Sequence, residues 1–205
     1  MSERKYPVIT ISREFGAGGH SIARVVSERL GIPYYDRDFA KQAAARSGYS
    51  QEDIDREGEN LSRSARLLDN ILNNSASYFS SHDAIYQAQK ELILQFAAEQ
   101  DCIIIGRCAD YVLDGTENLV RLFVYAEIEE RINKVREKGY FPEEDILKNI
   151  KRIDRERRDY YRYYTGKSWE NLENYDLMIN TTKLSYDDMV ECVVDYLKMR
   201  GILAK

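Results

Sequence analysis

Gly16, Gly18 and Gly19 stand within four positions of one another, just after the β-branched run Val8-Ile9-Thr10-Ile11. Behind them Ile22, Val25, Val26, Arg29 and Leu30 keep helical spacing, and Gly31 is a natural stop. A strand, a glycine-rich turn and a helix start make an anion site: backbone N–H groups point at the ligand, and the helix dipole adds partial positive charge. Residues Gly16, Ala17, Gly18, Gly19, His20 and Ser21 are therefore a candidate cradle for nucleotide phosphates, an ordinary strand-to-helix turn being the alternative. The full phosphate-loop pattern is Gly-x-x-x-x-Gly-Lys-[Ser/Thr]. Here Arg13 holds its first glycine position and Gly19 its lysine position. Losing one preorganised contact of that kind commonly costs on the order of 100- to 1000-fold in rate. Either another cation stands in, Arg13 and His20 being the local candidates, or the chemistry is weak. Capping of the helix is the other role open to His20.

A second constellation lies in Lys151-Arg152-Ile153-Asp154-Arg155-Glu156-Arg157-Arg158-Asp159-Tyr160-Tyr161-Arg162. On a helix Arg155, Arg158, Asp159 and Arg162 fall at i, i+3, i+4 and i+7 and share a face. Guanidiniums so placed repel one another unless something anionic sits among them, and arginine grips phosphate bidentately better than lysine does. The other reading is a solvated helix with local ion pairs, such as Asp154 with Arg158. A third site is Ile103-Ile104-Ile105-Gly106-Arg107, which would deliver Arg107 to the carboxyl edge of a sheet, where ligands lie. Arg107 paired with Asp110 is the alternative there. Cys108 has no histidine nearby in sequence to activate it and reads as a packing or pocket-lining thiol.

These residues need a scaffold, and the hydrophobic pattern supplies one. Strands are expected at Val8–Ile11, Ile32–Asp36, Cys102–Gly106, Leu119–Ala126 and Leu177–Asn180, with amphipathic helices at Asp83–Gln100 and Asp187–Met199. Residues 38–80 are polar and helix-like, a helical excursion away from the sheet. Short apolar strands alternating with helices predict an α/β fold with a parallel sheet covered on both faces.

Composition narrows the classes. Of 205 residues 43% are hydrophobic, enough for a core, and 30 Lys and Arg against 35 Asp and Glu give a net charge of −5. That balance argues against a dedicated nucleic-acid partner. The 3 cysteines include no Cys-x-x-Cys pair and the 2 histidines are far apart, which argues against a disulfide framework or a structural zinc site. No apolar stretch is long enough for a membrane span and the start lacks a signal-peptide core, so a reducing, cytoplasmic location is expected. A homo-oligomer stays open.

Taken together, Ile11-Ser12-Arg13-Glu14-Phe15-Gly16-Ala17-Gly18-Gly19, Tyr35-Asp36-Arg37 and Ile105-Gly106-Arg107 resemble the cytidylate kinase-like family, in the nucleoside monophosphate kinase branch of the P-loop NTPases. The resemblance covers nearly the whole chain. It implies one domain over residues 1–205: a three-layer fold with a five-stranded parallel sheet, an acceptor-binding excursion at 38–80 and a lid at 131–158. It also implies transfer of phosphate from ATP, with Mg2+, to a nucleoside monophosphate, CMP or dCMP before others. In that scheme Arg155, Arg158 and Arg13 are catalytic. The loop from Gly16 to Ser21 holds ATP, and Ser21 reaches the metal. Asp36, Arg107, Asp110, Arg155, Asp159 and Arg162 bind the acceptor, and Arg131 and Arg136 begin the lid. The chain departs from the pattern at the loop lysine, at Tyr125 in place of an aspartate after the fourth strand, and at Arg37 and Lys41 on the acceptor side. Three other readings remain. They are a nucleotide-binding regulator without catalysis, a kinase for another small acceptor, and an RNA-binding module using Tyr160, Tyr161, Tyr163 and Tyr164 as stacking faces.

Overall fold

A computed structural model describes residues 7–36 and 76–203. Of the excursion expected at 38–80, residues 38–75 lie outside the described residues, with Arg37 and Lys41, and residues 76–80 are helical and continue in the same helix to Glu99. Five strands form one parallel sheet in the order β2-β3-β1-β4-β5: β1 Val8–Arg13, β2 Tyr34–Tyr35, β3 Cys102–Ile105, β4 Leu119–Tyr125 and β5 Leu177–Asn180. The helices are α1 Gly19–Leu30, α2 Ala76–Glu99, the single turn α3 Ala109–Val112, α4 Ile128–Glu137, α5 Ile146–Thr165 and α6 Tyr186–Met199.

The strand alternation sorts side chains between two layers. Ile9 and Ile11 of β1 and Ile103 and Ile105 of β3 pack with Ile22 and Val26 of α1 and with Val190, Val193 and Leu197 of α6. Val8, Cys102 and Ile104 point to the opposite face, against Ile93 and Ala97 of α2 and Leu113. Both faces are therefore apolar, as a parallel sheet between helices requires. The expected three-layer α/β architecture is present.

The boundaries differ from the sequence reading in ways that matter for the site. β1 runs two residues past Ile11, because Ser12 and Arg13 continue the register opposite Phe123 and Val124 of β4. That extension carries Arg13 to the carboxyl edge. β2 is only two residues long, and α2 begins at Ala76 rather than Asp83. α5 buries Ile146, Ile150, Ile153, Asp154, Glu156 and Tyr161. Val135, Ile146 and Ile150 pack α4 against α5 with Phe15 beside them, so this helical hairpin is seated on the glycine loop.

Candidate active site

Beyond the carboxyl ends of β1 and β3 the chain departs in opposite directions, from β1 outward to β2 and from β3 across β1 to β4. A crevice at such a switch point is where ligands bind in open α/β sheets. Two cavities open there. The inner one, about 30 Å3, is walled by Ser12, Arg13, Gly106, Arg107, Arg157 and Tyr160. The outer one, about 150 Å3, lies along the loop residues Gly16, Gly18, Gly19, His20 and Ser21 and is roofed by Lys134, Lys138 and Tyr140 of the α4–α5 hairpin. Tyr186 closes one end of it. Arg13 and Arg157 line both cavities.

The loop takes its shape from glycine and is held by charge. Gly16 and Gly18 have φ of +82° and +88°, left-handed values that side chains disfavour. A Cβ on Gly16 would lie 3.0 Å from the Arg131 carbonyl oxygen, so α4 sits directly on the loop. Arg131 donates from Nε to the Phe15 carbonyl at 2.7 Å and faces Glu14 at 3.1 Å. Its other terminal nitrogen pairs with Asp154, which also accepts the Phe15 N–H at 2.8 Å. Burial pushes the Glu14 carboxyl above its ordinary range, with the charge of Arg131 working against it. From the other side Thr181 Oγ1 donates to the Ala17 carbonyl at 2.9 Å. Ala17 is fully buried, so it anchors the loop, and the outer cavity is lined by its neighbours.

The edge beyond β3 is built on an unusual backbone. Gly106, Arg107 and Cys108 follow one another at φ +74°, +58° and +54°. Two consecutive non-glycine residues in the left-handed region store strain of order 1–3 kcal/mol each. The turn aims Arg107 into the inner cavity and toward a neighbouring recess shared with Asp36 and Gln89. The Arg107 guanidinium also lies 5.7 Å from the centre of the Tyr160 ring. Cys108 is buried and its thiol is pushed well up, by burial first and Asp110 second, as suits a packing role. Asp36 Oδ2 lies 3.0 Å from His20 Nε2, joining that recess to the start of α1.

Several expected site residues stand elsewhere. Asp110 is buried outside both cavities and accepts a 2.6 Å hydrogen bond from Tyr161, so it supports a wall residue and does not pair with Arg107 in the manner considered. Arg155 and Arg162 are exposed, Arg158 pairs with Glu170 at 2.7 Å, and none of Arg155, Arg158, Asp159 and Arg162 lines either cavity. Asp154 pairs with Arg131 and not with Arg158. Arg136 is held outside by Glu143 at 2.6 Å. The arginine that α5 does point inward is Arg157. Sequence held a signal for it: Arg157 stands where the stripe Ile146, Ile150, Ile153 would place its next apolar residue. Lys134 and Lys138, one turn apart on and beyond α4, were also missed. The tyrosine run is largely inward: Tyr160, Tyr161 and Tyr164 join a cluster with Tyr86, Trp169 and Tyr175, while Tyr163 is 41% exposed. That leaves little face for stacking on RNA.

Comparison with known proteins agrees with the fold. A cytidylate kinase of Archaeoglobus fulgidus is 23% identical over 197 residues, covering 95% of this chain and 96% of the relative. One of Pyrococcus horikoshii is 25% identical over 199 residues, covering 95% and 91%. Among solved structures, an uncharacterised protein of Eubacterium ventriosum superimposes with a TM-score of 0.72 at 23% identity, over 94% of this chain and 98% of that one. Shikimate kinase of Acinetobacter baumannii shares the fold at a TM-score of 0.55 and 14% identity, over 95% and 94%. Residues 8–183 match a family as a unit, and the chain belongs to it: the cytidylate kinase-like family.

Proposed function

We propose that the protein transfers the terminal phosphoryl group of ATP to a nucleoside monophosphate, with CMP or dCMP as the first acceptors to test. The observation that carries this reading is the pair of cavities with a shared wall of two arginines, one along a glycine-rich helix start and one at the β3 edge. The larger, cation-rich cavity suits a polyphosphate; the smaller has room only for a small anionic group. Transfer between them is chiefly a matter of positioning and charge stabilisation. Loop N–H groups from Gly16 to Ser21 hold the donor phosphates, with Lys134 and Lys138 above them. Arg107 and Asp36 hold the acceptor, Arg107 at its phosphate. A nucleotide-borne Mg2+ fits these residues, because that ion keeps most of its waters and takes few protein oxygens, here Ser21, while drawing charge from the phosphates. No general base is assigned, since a nucleoside monophosphate is largely deprotonated at neutral pH.

A nucleotide-binding regulator without turnover is the second reading, favoured by glycine at the lysine position. The deciding experiment is a Mg-ATP assay against CMP, dCMP, UMP, AMP and GMP with product nucleotides separated directly. Diphosphate formed first from CMP or dCMP supports the kinase and its acceptor. ATP binding without product from any of these acceptors selects the regulator or an acceptor outside this panel. Among the described residues no helix is long and apolar enough to cross a membrane, and a cytoplasmic site of action accords with a nucleotide substrate.

A further inference from the structure

We propose that Arg13 takes the place of the missing loop lysine, and that Arg13 and Arg157 together hold the phosphoryl group in transit between the two cavities. A Cβ built on Gly19 would fall 2.8 Å from both Cβ and Cγ of Arg13, closer than real side chains approach. Any side chain at position 19, lysine included, is therefore excluded by the stem of Arg13. The arginine then continues across the crevice. Its Nη1 lies 2.5 Å from where a Cβ on Gly106 would be. Gly19 opens α1 and Gly106 follows β3, so Arg13 runs from the helix start to the β3 edge, with a glycine beneath its stem and another beneath its head.

A lysine would have reached this space from α1; the arginine reaches it from the end of β1. Arg157 completes the wall from α5. Its Nη1 donates to the Arg13 carbonyl at 2.8 Å, and both residues line both cavities. A group passing from the outer to the inner cavity must pass these two guanidiniums. Planar forks match phosphoryl oxygens better than an ammonium does. In the step itself an acceptor phosphate oxygen bonds to the γ-phosphorus as the bond from that phosphorus to the β,γ-bridging oxygen breaks. The electron pair of the broken bond leaves with ADP. The arginines neutralise charge and exchange no proton.

The proposal rests on the kinase reading, and the test separates the two. Its first arm is a melting-temperature cycle on the full chain. Gly19→Ala is expected to lower the melting temperature by several degrees when Arg13 is present. In an Arg13→Gly background, which removes both clashing atoms, it is expected to leave it unchanged or raise it, since alanine outranks glycine in a helix. Equal effects in both backgrounds overturn the steric claim whatever the activity. In the second arm Arg13→Gly and Arg157→Ala each lower kcat about 100-fold, and adding Gly19→Lys to Arg13→Gly restores about tenfold or more. Wild-type-like turnover in either single variant, or no restoration by the lysine, overturns the catalytic claim. A wild type that phosphorylates no acceptor instead refutes the kinase reading. Mg-tripolyphosphate affinity then decides the inference. About tenfold weakening by Arg13→Gly and recovery with Gly19→Lys support it, and unchanged affinity overturns it.

Discussion

Replacing Arg131 by methionine should cripple the loop from a position outside both cavities. The side chains of Arg131 and Asp154 are 6% and 4% exposed. Removing one partner of a buried pair commonly costs about 3–5 kcal/mol, because the other charge stays buried without compensation. The Phe15 carbonyl also loses its donor, and Glu14 loses the nearest cation. For a domain of this size each kcal/mol corresponds to about 2–4 °C of melting temperature, so the variant should melt about 6–20 °C lower. Urea unfolding measures the loss directly. The pH dependence carries a sign. Glu14 is already pushed up by burial against the pull of Arg131, and without that pull it rises further. Between the ordinary glutamate value of 4.5 and its raised folded value, the folded variant holds a proton that the unfolded chain has released. Stability in that window falls as pH rises. The deficit against the parent is therefore greatest near neutrality and narrows toward about pH 4.5. Adding Asp154→Leu should recover part of the loss, since the cost is that of an uncompensated charge. A loss below about 1 kcal/mol, or a deficit independent of pH, would refute the clamp.

Arg107→Gly should separate stability from function: it relieves a left-handed residue, so urea unfolding should show equal or greater stability by about 1 kcal/mol, while acceptor KM rises at least about tenfold. A stability loss with unchanged KM would contradict the role given to that turn. Alkylation followed by mass spectrometry should label Cys192 alone in the native protein at pH 8 and all of Cys102, Cys108 and Cys192 after denaturation, because the first two are buried. Rapid native labelling of Cys108 would show that the crevice wall opens.

The sheet was legible because its signal is local. Val8–Ile11, Cys102–Ile105 and Leu177–Asn180 are short apolar runs bounded by polar or glycine residues, and each is a strand at nearly the expected limits. The glycine loop was legible for the same reason, being strand, turn and helix within one stretch of chain. The arginine helix shows where such reading stops. Arg155, Arg158 and Arg162 do share a face, but it is not the face that α5 turns to the crevice. Which face turns inward is set by Ile146 and Ile150 packing with Val135 of α4, a contact between separate elements. Asp110 was misplaced likewise, because its partner Tyr161 arrives from 51 residues away.

Sequence by itself thus determined the α/β class, the parallel sheet, the position of the glycine loop and the glycine at its lysine position, all of which depend on residues close together in the chain. Only the tertiary structure decided what fills the space at Gly19 and which α5 arginine lines both cavities. The space at Gly19 is filled by a side chain from the end of β1, and Arg157 is brought to the same point by a helix 144 residues further along. Occupancy of shared space by distant segments follows from packing, and no local pattern of residue types encodes it.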